Sequence, residues 1–222
     1  MSSQIVSKQR VSDHGEVFTN EREVNAMVDL VEQEAERIES RFLEPACGTG
    51  NFLVNILERK LAVVEKRFAK TQFNYECNAV LAMSSLYGID ILQDSIEQCR
   101  ERLFNTFDRH YIRLFKDNCK ESCRASVRTI LDLNIIHGNA LTLQRIDESG
   151  PIVFSEWSPV SKKYLKRRDF IFKELIEQNR SEELTLFSSS EPPLSSDLGE
   201  SVFIAEPHKE YPVTHFLELT YD

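Results

Sequence analysis

The sequence predicts an α/β fold: a mostly parallel sheet with helices on both faces, its second half shortened or atypical. Three observations predict it. Short apolar strands alternate with segments of helical periodicity between about residues 41 and 141. A turn with two glycines one residue apart joins the first strand to the first long helix. The alternation then fades after about residue 160, where basic, Ser/Glu-rich and Pro-containing stretches follow. The chain accordingly divides into a polar segment at 1–15, a ligand-binding core at 16–160 and an atypical C-terminal part at 161–222.

The elements follow in order. Val24, Met27, Val28, Leu30 and Val31 recur at helical spacing, and Thr19 precedes them as a candidate N-cap. A strand covers about Arg41 to Ala46. The helix opening on Asn51 carries Phe52, Leu53, Ile56, Leu57, Leu61 and Val64 on one face. A second helix at about Phe73 to Ser84 lengthens the crossover to the strand Leu86 to Ile91. Residues 94–133 form a long helical region with the stripe Ile96, Cys99, Leu103, Phe107, Ile112 and Phe115, and Cys119 and Cys123 share a helix face within it. A third strand covers Asn134 to Leu141 and a fourth Ile152 to Phe154. One or two more are expected within Ser201 to Ile204 and His215 to Tyr221.

Composition bounds the function. At 222 residues and 41% hydrophobic, the chain can bury a core. It has no membrane-length apolar run and no signal-peptide core. Its five cysteines are scattered without a CxxC pair, so a reduced, cytoplasmic protein without a metal site is expected. A net charge of −9 counts against a free-standing DNA binder, whose footprint is usually basic.

The most informative stretch is Phe42-Leu43-Glu44-Pro45-Ala46-Cys47-Gly48-Thr49-Gly50-Asn51-Phe52-Leu53. Gly48 and Gly50 permit a sharp bend and close approach of a ligand, and the helix that follows points its unpaired N–H groups into the same crevice. Leu53 stands where a dinucleotide fingerprint needs its third glycine, and no Gly-Lys-Ser/Thr makes this a P-loop. Asp90, at the end of the second strand, could accept from a ribose diol or merely cap the next helix.

These residues resemble motif I of class I S-adenosylmethionine-dependent DNA methyltransferases of the adenine-N6 type, which have a Rossmann-like fold. Asp13-His14-Gly15-Glu16-Val17-Phe18-Thr19-Asn20, with the helix after it, is similar to motif X of that family, with Asn20 where proline is usual. The resemblance implies a pocket for S-adenosylmethionine. Thr19 would reach the amino-acid end of the cofactor, and Glu44 its ammonium. Ala46, Cys47, Gly48 and Gly50 would form the turn. Asp90 would hold the ribose and Ile91 line the adenine. Asn139, in the motif III position normally held by Asp, would accept from the adenine amino group through its amide oxygen.

The family's catalytic motif IV, Asn/Asp-Pro-Pro-Tyr/Phe, is absent. Ser155-Glu156-Trp157-Ser158-Pro159 has its position, which makes Glu156 and Trp157 weak catalytic candidates. Ser190-Glu191-Pro192-Pro193-Leu194 has its prolines within a loop. Lys162, Lys163, Lys166, Arg167 and Arg168 form a dense basic cluster, either a phosphate contact or a solvated helix start. The expectation is an adenine-N6 DNA methyltransferase of a restriction-modification or phage-defence system. The alternative is a non-catalytic cofactor-binding or regulatory subunit completed by a partner. DNA and a second methyltransferase, specificity or restriction subunit are the expected partners.

Overall fold

The structure is a computed structural model and describes residues 19–161, 163–177 and 206–222. It opens with α1 (Glu21–Asp29). The N-cap is Asn20 rather than Thr19, since the Asn20 Oδ1 accepts from the Glu23 N–H at 2.9 Å. Val24 and Val28 of α1 are buried, while Met27, Leu30 and Val31 remain exposed. After the short α2 (Glu32–Ala35) come β1 (Phe42–Glu44), α3 (Asn51–Phe68), α4 (Gln72–Ser84) and β2 (Leu86–Asp90).

The helical region at 94–133 is not one helix. It divides into α5 (Gln93–Phe115) and α6 (Glu121–Asn134), separated by a 3-10 turn at Lys116–Asn118. The break lies at Lys116, whose φ of 48° is incompatible with a continuing right-handed helix. Cys119 therefore precedes α6 and shares no helix face with Cys123. Ile96, Cys99, Leu103 and Phe107 of α5 are buried as expected, but Ile112 is exposed.

α3 forms the centre of the helical layer. It buries Leu53, Ile56, Leu57, Leu61 and Val64 completely, each worth about 1.5–3 kcal/mol. Its outer face is tied to α5 by the pairs Arg109–Glu58 and Arg113–Glu65. Lys60 is also fully buried. Its ammonium donates to the carbonyls of Arg37, Ile38 and Ser40 at 2.8, 3.0 and 2.6 Å, which fixes the link leading into β1.

Two four-stranded sheets follow from the pairing. β1 pairs parallel with β2, and β2 with β3 (Ile135–Asn139). β4 (Gln144–Arg145) then pairs antiparallel with β3. The second sheet is antiparallel throughout: β5 (Val153–Ser161), β6 (Tyr164–Ile171) and β7 (Lys209–Glu210) in that order, with β8 (Thr214–His215) also against β6. The expectation of a mostly parallel sheet is thereby corrected: the protein is α/β with mixed sheets. A parallel neighbour requires a crossover of a dozen or more residues, usually a helix. After β3 the chain instead turns straight back through β4.

The expectation of helices on both faces is corrected as well. Side chains alternate across a strand. Leu86 and Ile135 join the large core made with the helices, whereas Tyr87, Ile89 and Ile136 pack on Ile152, Phe154 and Phe172. Among the described residues this second face is covered by Ile152, by Phe154 of β5 and by Phe172 at the start of the short helical stretch 172–177, rather than by a layer of long helices. β1, among the described residues, pairs along one edge only, and its Leu43 is exposed.

At the C-terminal end only His215 of the expected 215–221 strand region is extended and paired, as the last residue of β8. Phe216 and Leu219 instead plug the helical core. The expected strand at 201–204, the Ser190–Leu194 stretch and the segment from Asp13 to Phe18 lie outside the described residues. Among the described residues, no helix is long and apolar enough to cross a membrane.

Candidate functional site

The turn between β1 and α3 has the geometry its sequence predicts. Gly48 and Gly50 have φ values of 51° and 84°, the left-handed region in which a Cβ is penalised. The two glycines serve different ends. A Cβ on Gly50 would lie 2.6 Å from the Cys99 Sγ, whereas one on Gly48 would meet nothing within 4 Å. Gly50 is thus needed for packing against α5, and Gly48 for a bend beside open space. Gly50 is the N-cap of α3, whose first turn holds no acidic residue. The N–H groups of Asn51, Phe52 and Leu53 therefore keep their positive end unneutralised by an acidic residue of that turn.

Beside this turn lies a solvent-open cleft of about 200 Å³, smaller than the roughly 300–1,000 Å³ usual for ligand pockets. It is lined by Thr19, Glu44, Ala46, Cys47 and Gly48 of the predicted set, and by Val24, Met27, Thr49, Asn51 and Phe52. The donor set fits a cofactor carrying an ammonium group. The Glu44 carboxylate borders the cleft, with only a long 3.4 Å contact from the Ala46 N–H. Burial raises the Glu44 pKa above the usual carboxylate value, and that N–H partly offsets the rise. A cation placed beside it would restore the charged form.

Asp90 sits behind the turn. Its Oδ2 accepts from the Gly48 N–H and its Oδ1 from the Leu92 N–H, each at 2.9 Å. The carboxylate ties the β1–α3 turn to the β2–α5 turn and retains lone pairs for hydroxyl donors. It does not cap α5, whose N-cap is Leu92. The neighbouring Ile91 is exposed, and its carbonyl accepts from the His137 Nε2 at 3.0 Å. Asn139 lies at the end of β3, but its oxygen is occupied: Oδ1 accepts from the N–H groups of Leu141 and Thr142 at 2.9 and 3.3 Å. An amide oxygen has two lone pairs, so the group Asn139 can still offer is its NH₂, a donor. The acceptor role expected of its oxygen does not agree with this geometry.

Cys47 is buried. A hydrogen bond with Cys99 pushes its thiol far above the ordinary range, and burial adds to this. Cys47 packs under Gly88 and is no nucleophile.

The catalytic candidates are engaged elsewhere. Ser155 to Pro159 lies within β5 rather than in a loop beyond a strand end. The Glu156 carboxylate pairs with Arg41 and Arg168. Trp157 is buried in the helical core, with the Arg167 guanidinium 5.7 Å from its ring centre, so its face is unavailable to stack on a base.

The basic cluster is likewise dispersed by strand alternation. Arg167 is buried against Asp169, with two bonds of 2.9 Å, and lies 3.9 Å from the Tyr211 ring centre. Lys166 pairs with Glu210 and Lys163 sits over the Tyr164 ring. The Arg168 Nε is 3.0 Å from Glu156 but off the hydrogen-bonding direction. Lys162 lies outside the described residues. Its described members, Lys163, Lys166, Arg167 and Arg168, form neither a helix start nor a continuous cationic surface.

Sequence reasoning missed Arg102. This α5 residue donates through Nη1 to the Thr49 carbonyl and the Asn51 Oδ1, each at 2.7 Å, and lies 3.0 Å from the Thr49 Oγ1. No local pattern marks an arginine so far along the chain from its acceptors. Comparison with known proteins adds no relative: no family model matches the sequence, no curated protein is detectably similar, and no solved structure matches the fold.

Proposed function

We propose that the chain binds S-adenosylmethionine in the cleft beside Gly48 and supplies the cofactor half of an adenine-N6 DNA methyltransferase whose base-handling elements come from a partner chain. The observation that carries this reading is the β1–α3 turn. The left-handed Gly48, an unneutralised helix N-terminus and the Glu44 carboxylate converge on one cleft, with Gly50 fixing the bend from its packed side. Glu44 would take the cofactor's ammonium, the Gly48 region would lie against its chain, and Asp90 would meet the ribose hydroxyls. The β1–β2–β3 arrangement is compatible with one half of a Rossmann-like sheet, to which a further strand could be added beyond β1.

The partner-dependent reading is favoured over an enzyme complete in itself by the state of the catalytic candidates. Glu156 and Trp157 are committed to ion pairs and core packing, and the basic residues are mostly neutralised by neighbours. Methyl transfer from labelled S-adenosylmethionine to mixed-sequence duplex DNA tests the proposal. The chain alone is expected to bind cofactor without transferring the methyl group. Transfer by the chain alone would instead establish a self-sufficient methyltransferase, and absence of cofactor binding would remove both readings.

A further inference from the structure

The cleft has a fastening that lies outside its own wall. Arg102 projects from α5, and among the described residues it forms no ion pair. Its Nη1 is directed at the turn: the Thr49 carbonyl and the Asn51 Oδ1 at 2.7 Å, with the Thr49 Oγ1 at 3.0 Å. A guanidinium has donors only, so the Asn51 amide must present its oxygen to Arg102. That orientation turns the Asn51 NH₂ the other way, where it donates to the Thr19 carbonyl at 3.2 Å. Thr19, Thr49 and Asn51 all line the cleft, while Arg102 does not.

Among the described residues, the bond from Asn51 is the hydrogen bond Thr19 makes to the turn. Thr19 stands just before α1, is exposed, and is not the residue that caps the helix. Its carbonyl bond to Asn51 is therefore a principal tie between the segment entering α1 and the turn. Without Arg102, only the Thr19 carbonyl would favour this orientation of the Asn51 amide. The charge-assisted bond from Arg102 removes the choice.

We infer that Arg102 is a positioning residue for this cleft: it sets the orientation of the Asn51 amide and, through it, holds the Thr19 segment against the glycine turn. As a determinant of ligand affinity, this role rests on the proposed cofactor site. The tie itself does not, because it is present without a ligand. The positioning acts before binding, so its loss lowers affinity by leaving the cleft less preorganised.

Arg102→Met removes every donor and keeps much of the apolar stem, while Arg102→Lys restores a cationic donor. Hydrogen exchange on the ligand-free full chain reads the tie, calorimetry with S-adenosylmethionine reads the affinity, and thermal unfolding reads the fold. In Arg102→Met the amides of residues 19–29 and 49–52 are expected to exchange several-fold faster, with those of β5 and β6 unchanged. The Kd is expected to rise by about tenfold, the scale of one charge-assisted bond, and Arg102→Lys should recover part of both effects. Adding Asn51→Ala to Arg102→Met should cost less than the sum of the two single changes, the remainder being what the Arg102 bonds to Thr49 contribute. Unchanged exchange at 19–29 would overturn the inference. So would faster exchange with wild-type affinity, which would mean the relay is structural only. If the wild-type chain binds no cofactor, the proposed function fails, and the exchange arm alone decides whether Arg102 holds the segment. Should Arg102→Met not fold, Arg102→Gln carries the same comparison.

Discussion

The β1–α3 turn and the β5–β6 ribbon satisfy their polar groups in opposite ways. In the turn, backbone is held by side chains that come from elsewhere: Asp90 on the Gly48 N–H and Arg102 on the Thr49 carbonyl. The side chains facing the cleft keep hydrogen-bonding capacity. In the ribbon, side chains answer one another. Arg167 engages Asp169 and Ser155, Tyr211 donates to Asp169, and Glu156 takes two arginines. Among the described residues Glu156, Lys166, Arg167 and Asp169 are all engaged with one another or with near neighbours. A site requires polar groups that face open space and are held in place by satisfied ones, and in the turn Glu44 does so beside the cleft.

The largest expected effect breaks the ribbon. Arg167→Met strands the buried Asp169 carboxylate and should cost about 3–5 kcal/mol in denaturant unfolding, with cofactor affinity unchanged in the variant that remains folded. A comparable loss of affinity would mean that ribbon and cleft are coupled. Gly50→Ala attacks the turn from its packed side. The left-handed φ and the overlap with Cys99 together should cost about 3 kcal/mol, and Cys99→Ala in the same chain should recover the part due to overlap but not the part due to φ.

Lys60→Met leaves three buried carbonyls without their donor and should lower stability by about 2 kcal/mol, measured by the same unfolding. Because Lys60 lies behind β1 and not in the cleft, its effect on binding should be smaller than that of Arg102→Met. The smallest expected effect is that of Glu156→Gln. It keeps shape and most hydrogen bonding while weakening two ion pairs, and should cost about 1 kcal/mol. Were Glu156 the residue that receives the target amino group, the same change would abolish methyl transfer in the assembled enzyme while barely moving stability.

The same contrast explains what was legible in the sequence. Glycines at φ 51° and 84° have few substitutes, so Gly48 and Gly50 announce the turn, and the stripe from Leu53 to Val64 announces the helix after it. Asp90 was found because it ends a short apolar strand. Arg102 was invisible, since its acceptors lie across the fold and its neighbours on α5 are equally charged. The ribbon was misjudged for a related reason. A run of Lys and Arg looks like a surface until strand alternation sends Arg167 inward to Asp169 and leaves Lys166 beside Glu210. The expectation of a mostly parallel sheet failed where a two-residue strand, β4, replaced a crossover helix, and nothing in Ala140 to Gly150 marks that reversal beyond a lack of helical periodicity.

The most direct test of the central claim is calorimetric titration of S-adenosylmethionine into the full chain, with Asp90→Ala alongside. The account predicts binding with a Kd on the order of micromolar, lost or greatly weakened when Asp90 no longer braces Gly48 or meets the ribose. No heat of binding to the wild-type chain, or equal binding by Asp90→Ala, would contradict it.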